Sequence, residues 1–131
     1  MEKIPAGTWV VVADGEGARV FHNVGKGHEV SLVQKDVFGP TDLLDDGPSG
    51  NRPSDQTDSQ TDEATFAKQL AHRLNAAALK HEYEHLVLIA DPHTLGEMRP
   101  QLHKETVQRI VRELAKTFTN APLEDVERAL A

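Results

Sequence analysis

The chain has no cysteine. That excludes disulfides, thiolate metal sites and a thiol nucleophile, and it leaves the compartment open. No apolar run approaches the ~20 residues needed to span a bilayer. The first residues, Met-Glu-Lys-Ile-Pro-Ala-Gly, lack the apolar stretch of a secretory signal, so the expected location is the cytoplasm, with no membrane partner. Cations are outnumbered, with 14 Lys+Arg against 21 Asp+Glu and a net charge of -7. Phosphate contacts need clustered Lys and Arg, so a general nucleic-acid or membrane-surface binder is disfavoured, although a local basic patch is not. The Gly-x-Ser-x-Gly elbow of serine hydrolases is absent. There is no internal repeat.

What remains is 131 residues, enough for one domain with a modest core. Residues 1–131 are expected to form a single α/β domain. Thr8–Ala13 is apolar and β-branched, as a buried strand should be, and Asp14-Gly-Glu-Gly17 is a turn signal. Ala18–His22 alternates, and Glu29–Phe38 reads as a third strand, giving an antiparallel meander. From Asp62, a good N-cap, Phe66, Leu70, Leu74 and Ala77 fall on one helical stripe running to about Lys80. Leu86–Ala90 is continuously apolar, the mark of a strand buried on both faces. A short helix comes next, near residues 94–102, with Thr94-Leu-Gly-Glu97 reading as a capping box. Residues 105–118 are ambiguous. Val107, Ile110, Val111, Leu114 and Phe118 fit a helical stripe, but Ile110, Leu114 and Phe118 also fit one face of a strand. Asn120 or Thr119 can cap a last helix, with Pro122 in its first turn and Leu123, Val126 and Leu130 on one face.

Residues 39–62 differ in character. Glycine and proline break structure there, and six aspartates add charge. A structureless loop of this length is either functional or mobile and idle. Gly47 and Gly50 allow close backbone approach, and Arg52 is the only cation between Lys35 and Lys68. Gly50, Asn51 and Arg52 are therefore candidate binding residues, with Arg52 suited to a phosphate or carboxylate.

Chemistry-bearing patterns are few. His81-Glu-Tyr-Glu-His85 matches the zinc-protease pentapeptide, but His85 abuts a strand, so the segment reads as a helix-to-strand turn. Gly15-x-Gly17 begins a dinucleotide fingerprint, but a strand stands where a helix is needed, so no cofactor is expected. Asp14 and Asp91 each end an apolar strand. If those strands are parallel neighbours, the two carboxylates could share Mg²⁺, with His93 and Glu97 nearby. The competing reading is a turn for Asp14 and a helix cap for Asp91. Arg99 and Lys104, with Arg73, Lys80, Arg109 and Arg112, could form a basic face. The Asp91–Arg99 junction lies just past the carboxyl end of a strand, where α/β proteins place ligands. It supplies Asp91, His93 and Arg99 as further binding candidates.

Four segments together carry a family resemblance: Trp9–Phe21, Gly50-Asn-Arg52, Phe66–Ala71 and Leu86–Arg99. The chain resembles the bacterial host-attachment protein family, whose members are described as required for attachment to host cells. That family is similar to the central domain of archaeal and eukaryotic class-I release factors. The resemblance implies a single mixed five-stranded sheet, the antiparallel meander plus parallel strands, with flanking helices and a ribonuclease H-like order. It also implies that 107–117 is the fifth strand. In release factors the long loop carries Gly-Gly-Gln. Here Gln56 and Gln60 lack preceding glycines, which argues against peptidyl-tRNA hydrolysis.

Three functional readings are open, ranked in order. The first is a non-enzymatic interaction protein working on an unidentified protein partner through residues 39–62 and the Asp91–Arg99 junction. The second is a translation-associated factor binding ribosome or tRNA. The third is a divalent-metal nuclease or phosphoryl-transfer enzyme using Asp14 and Asp91. The oligomeric state is open.

Overall fold

The computed structural model describes residues 4–25, 30–39 and 63–130. Three strands come first: β1 (Trp9–Asp14), β2 (Gly17–Asn23) and β3 (Leu32–Phe38). After them run helix α1 (Glu63–Leu79), strand β4 (Leu86–Ala90), helix α2 (Pro92–Met98), a 3-10 turn (Arg99–Gln101), helix α3 (Lys104–Arg109), strand β5 (Ile110–Ala115) and helix α4 (Leu123–Leu130). The described strands form one mixed five-stranded sheet in the order β3-β2-β1-β4-β5. β1, β2 and β3 make the expected antiparallel meander, and β4 and β5 run parallel to β1. The third strand starts at Leu32, later than expected, and residues 26–29 lie outside the described part. The Asp62 cap and the features of residues 40–62 also lie outside it.

Alternation of side chains splits the core into two layers. On one face, Val11, Ala13, Val20, Leu86 and Leu88 pack beneath α1 and α2. On the other, Val10, Val12, Phe21, Val87 and Ile89 are covered by Val126 and Leu130 of α4. The Phe66, Leu70, Leu74 and Ala77 stripe of α1 is buried as its spacing implies. β4 is buried at all five positions, because helices cover both faces of its centre. No described helix is long and apolar enough to cross a membrane.

The ambiguous segment is both elements in turn. Residues 104–109 are helical, and 110–115 pair with β4 as a strand shorter than 107–117. The α4 region keeps its apolar face, but its caps differ. The Pro122 carbonyl accepts from the Asp125 and Val126 amides, while Thr119 Oγ1 is buried with no partner among the described residues.

The His81–His85 pentapeptide is a helix terminus. The Glu82 amide donates to the Ala77 carbonyl and the His81 amide to that of Ala78, with His81 left-handed at φ 58. This is a Schellman closure, with histidine where glycine is usual. The two histidines therefore cannot share a helix face. Between them, Tyr83 is buried and donates to the Leu74 carbonyl at 2.8 Å. Burial pushes its hydroxyl up to about 12, opposed in smaller measure by Thr106 and Arg109. A phenol held protonated in the fold but free to ionise when unfolded makes stability fall as pH rises from about 10 to about 12. Tyr83 is the sole tyrosine, so its phenolate absorbance reads one group. The expected result is a single titration near 12 in buffer and near 10 in denaturant. A midpoint near 10 in buffer would contradict the burial.

Candidate functional site

β1 and β4 are parallel neighbours with Ala13 opposite Ala90, so Asp14 and Asp91 emerge side by side at one rim of the sheet. β3 also ends at this rim, since Phe38 pairs with Ala18 beside the β1–β2 turn. The described chain before residue 63 therefore leaves the sheet at this rim. Of the candidates drawn from the sequence, Asp14 and Asp91 meet at this edge.

Local geometry gives each aspartate a definite task. Asp14 Oδ1 accepts from the Glu16 amide at 2.7 Å and the Gly17 amide at 2.9 Å, closing the β1–β2 turn. Gly17 is required there, because a Cβ would stand 2.9 Å from the Phe38 carbonyl oxygen. Asp91 has extended backbone, and its Oδ2 accepts from the Thr94 amide at 3.1 Å, capping α2 with Pro92 in the first helical position. The capping box expected at Thr94–Glu97 is therefore displaced by one turn. Thr94 lies inside the helix, buried. Asp91 Oδ1 and Thr94 Oγ1 are buried without partners among the described residues. Among the described residues, no group of three or more His, Asp or Glu is placed to hold a metal ion.

His93 is exposed on the first turn of α2. Arg99 caps the other end of α2, and its Nε donates to Glu113 Oε1 at 2.9 Å, with Nη2 also on that oxygen. The bond ties α2 to β5. Arg109, Arg112 and Arg73 are drawn to separate partners too. Arg109 lies 3.6 Å from Glu105 and 3.4 Å from His81, and Arg112 donates to the Leu130 carbonyl. Arg73 lies over the Phe38 ring. The expected single basic face is therefore broken into separate anchors. Gly50, Asn51 and Arg52 lie outside the described residues.

Sequence reasoning missed Arg19. Its Nη1 donates to the carbonyls of Thr119 at 3.1 Å and Ala121 at 2.7 Å, its Nε donates to Gln34, and its plane lies over Phe21. Arg19 thus straps the α4 approach to the meander. Beside it, an open cleft of about 270 Å³ is lined by Asp14, Glu16, Phe38 and Asn120 among others.

The model of bacterial archaeo-eukaryotic release factor family 12 matches residues 7–130. The chain belongs to that family. No curated protein matches it. The family match carries the release-factor half of the resemblance drawn from the sequence, and the mixed sheet with flanking helices agrees with it. It gives no support to the host-attachment name. The release-factor match also spans every strand of the sheet, so the rim with Asp14 and Asp91 falls within it.

Proposed function

We propose that the protein is a translation-associated factor that contacts the ribosome or its RNA. The membership in a release-factor family over residues 7–130 carries this reading. It moves the second reading of the sequence ahead of the first, because nothing found supports attachment to host cells. The absence of Gly-Gly-Gln separates the protein from peptidyl-tRNA hydrolysis of the release-factor kind. Its role is then binding, with the rim of the sheet facing the partner. In this reading Arg52, with Gly50 and Asn51, contacts backbone phosphate, and exposed His93 on the first turn of α2 adds a contact at the rim. Asp91 and Arg99 act indirectly, by fixing α2 on the sheet.

The test is co-sedimentation of the tagged protein with ribosomes on sucrose gradients at low and moderate salt. The expected result is migration with a ribosomal fraction at low salt that weakens as salt rises, since phosphate contacts release counterions. Arg52→Ala should weaken it further. A protein that stays at the top of the gradient at every salt concentration would overturn the proposal.

A further inference from the structure

On the face of the sheet covered by α1 and α2, three aromatic rings form a row at the end opposite the rim. Tyr83 is buried, and Trp9 lies against it with ring centroids 4.9 Å apart. His22 stacks on Trp9 at 5.1 Å with the planes 19° apart. Trp9 on β1 and His22 on β2 are direct cross-strand partners. Their spacing matches the ~4.8 Å between neighbouring strands, so this part of the stack advances one strand per ring.

The next place in the row lies over β3, where the partner of His22 is Val33. Valine is too short to fill a ring's place, and Val33 is 41% exposed. Among the described residues the row therefore ends in an open seat, with Val33 beneath it and the His22 ring beside it. Lys35, exposed on the same strand, is close enough to act on His22 electrostatically. Burial first, and then Lys35, hold the imidazole below its usual range against a smaller opposing effect of Asp36, so the ring is neutral near pH 7. A neutral ring offers a stacking face without a charge to desolvate. Structural duty accounts for Tyr83 through its bond to Leu74, and for Trp9 as the partner of Tyr83. It leaves the outer face of His22 unused by any other ring among the described residues.

We infer that this seat takes one unpaired base of single-stranded RNA, which stacks on His22 above Val33 while Lys35 meets the adjoining phosphate. The inference rests on the translation-associated reading and gives that reading a second contact, away from the rim. Flat aromatic surface with an adjacent cation is the combination that binds single strands with little sequence preference. A paired base is already stacked on both sides and cannot enter. The acidic chain as a whole keeps the electrostatic share small, so stacking carries most of the affinity.

Trp9 is the sole tryptophan, which makes the seat its own reporter. The whole protein is titrated with an oligoadenylate of roughly ten nucleotides, following Trp9 fluorescence and the anisotropy of a labelled strand. Saturable quenching is expected, and duplex RNA of the same length should bind more weakly. Val33→Phe fills the seat with the chain's own ring and should weaken binding about ten-fold, as should His22→Ala, whereas His22→Phe should retain it. Lys35→Ala should flatten the salt dependence, and Asp36→Asn should tighten binding by removing a negative charge beside the phosphate. Thermal melts confirm that each variant folds. Absent quenching, duplex bound as tightly as single strand, or affinity unchanged in Val33→Phe would each overturn the inference. If ribosome co-sedimentation persists in those cases, the seat fails while the functional proposal stands. If co-sedimentation is also absent, both fall.

Discussion

Phe21→Ala is expected to cost about 3–5 kcal/mol of folding stability. Phe21 is fully buried, at 0% exposure, in the layer under α4. The variant loses the transfer energy of the ring and leaves a cavity. Val10, Val12, Val87 and Ile89 cannot collapse into it, because they are held on paired strands. A domain of this size has about 5–15 kcal/mol to lose, so the variant should melt on the order of 10 °C lower. Denaturant unfolding followed by Trp9 fluorescence measures it. Val37→Ala, at a 58% exposed position of β3, is the control and should stay within about 0.5 kcal/mol. A Phe21→Ala effect as small as the control's would contradict the packing of that layer.

Arg19→Ala is expected to cost about 2–3 kcal/mol. Two carbonyls, of Thr119 and Ala121, lose a charged donor at once. Partial exposure keeps the figure below the sum of two fully buried charge-assisted bonds, because water can replace the guanidinium in part. Arg19→Lys should recover little, since one ammonium cannot reproduce the fork that reaches two carbonyls and Gln34 together. The loss should be local. Amide exchange in α4 should speed up more than in β4, which is buried and paired on both sides. The Arg19 and Phe21 substitutions should also fail to add, because the guanidinium lies 4.8 Å from the centroid of the Phe21 ring. A double-mutant cycle with no coupling would contradict that contact.

The contrast between those two residues shows how much was legible in the sequence. Strands β1 and β4 announced themselves through continuous β-branched and apolar runs, and α1 through its stripe, because these signals are local. Asp91 was legible as a cap because a cap needs only the next three residues. The segment 105–118 resisted because one apolar period served two elements. The helical part ends at Arg109, and pairing with β4 claims Ile110–Ala115. Arg99 looked free because its partner, Glu113, sits fourteen positions on and meets it only when β5 docks. Arg19 showed no role for the same reason, with its acceptors about a hundred residues away. The His22 seat is a product of sheet register, which no spacing along the chain encodes. The rim was legible by topology, since strands ending in aspartate share it once β1 and β4 are parallel neighbours.

The covering of the second layer by α4 has a consequence for the order in which the protein can be made. Arg19 waits for Thr119 and Ala121, and the Leu32 amide waits for Glu127, ninety-five residues downstream. Until residue 130 has been synthesised, Val10, Val12 and Phe21 have no lid, though the strands bearing them are already complete. Contacts of such sequence separation slow folding, because loop closure precedes any gain. A nascent chain stalled before Thr119 would display one finished helical layer and one bare apolar sheet face. That is the kind of surface that chaperones hold and that aggregates grow from.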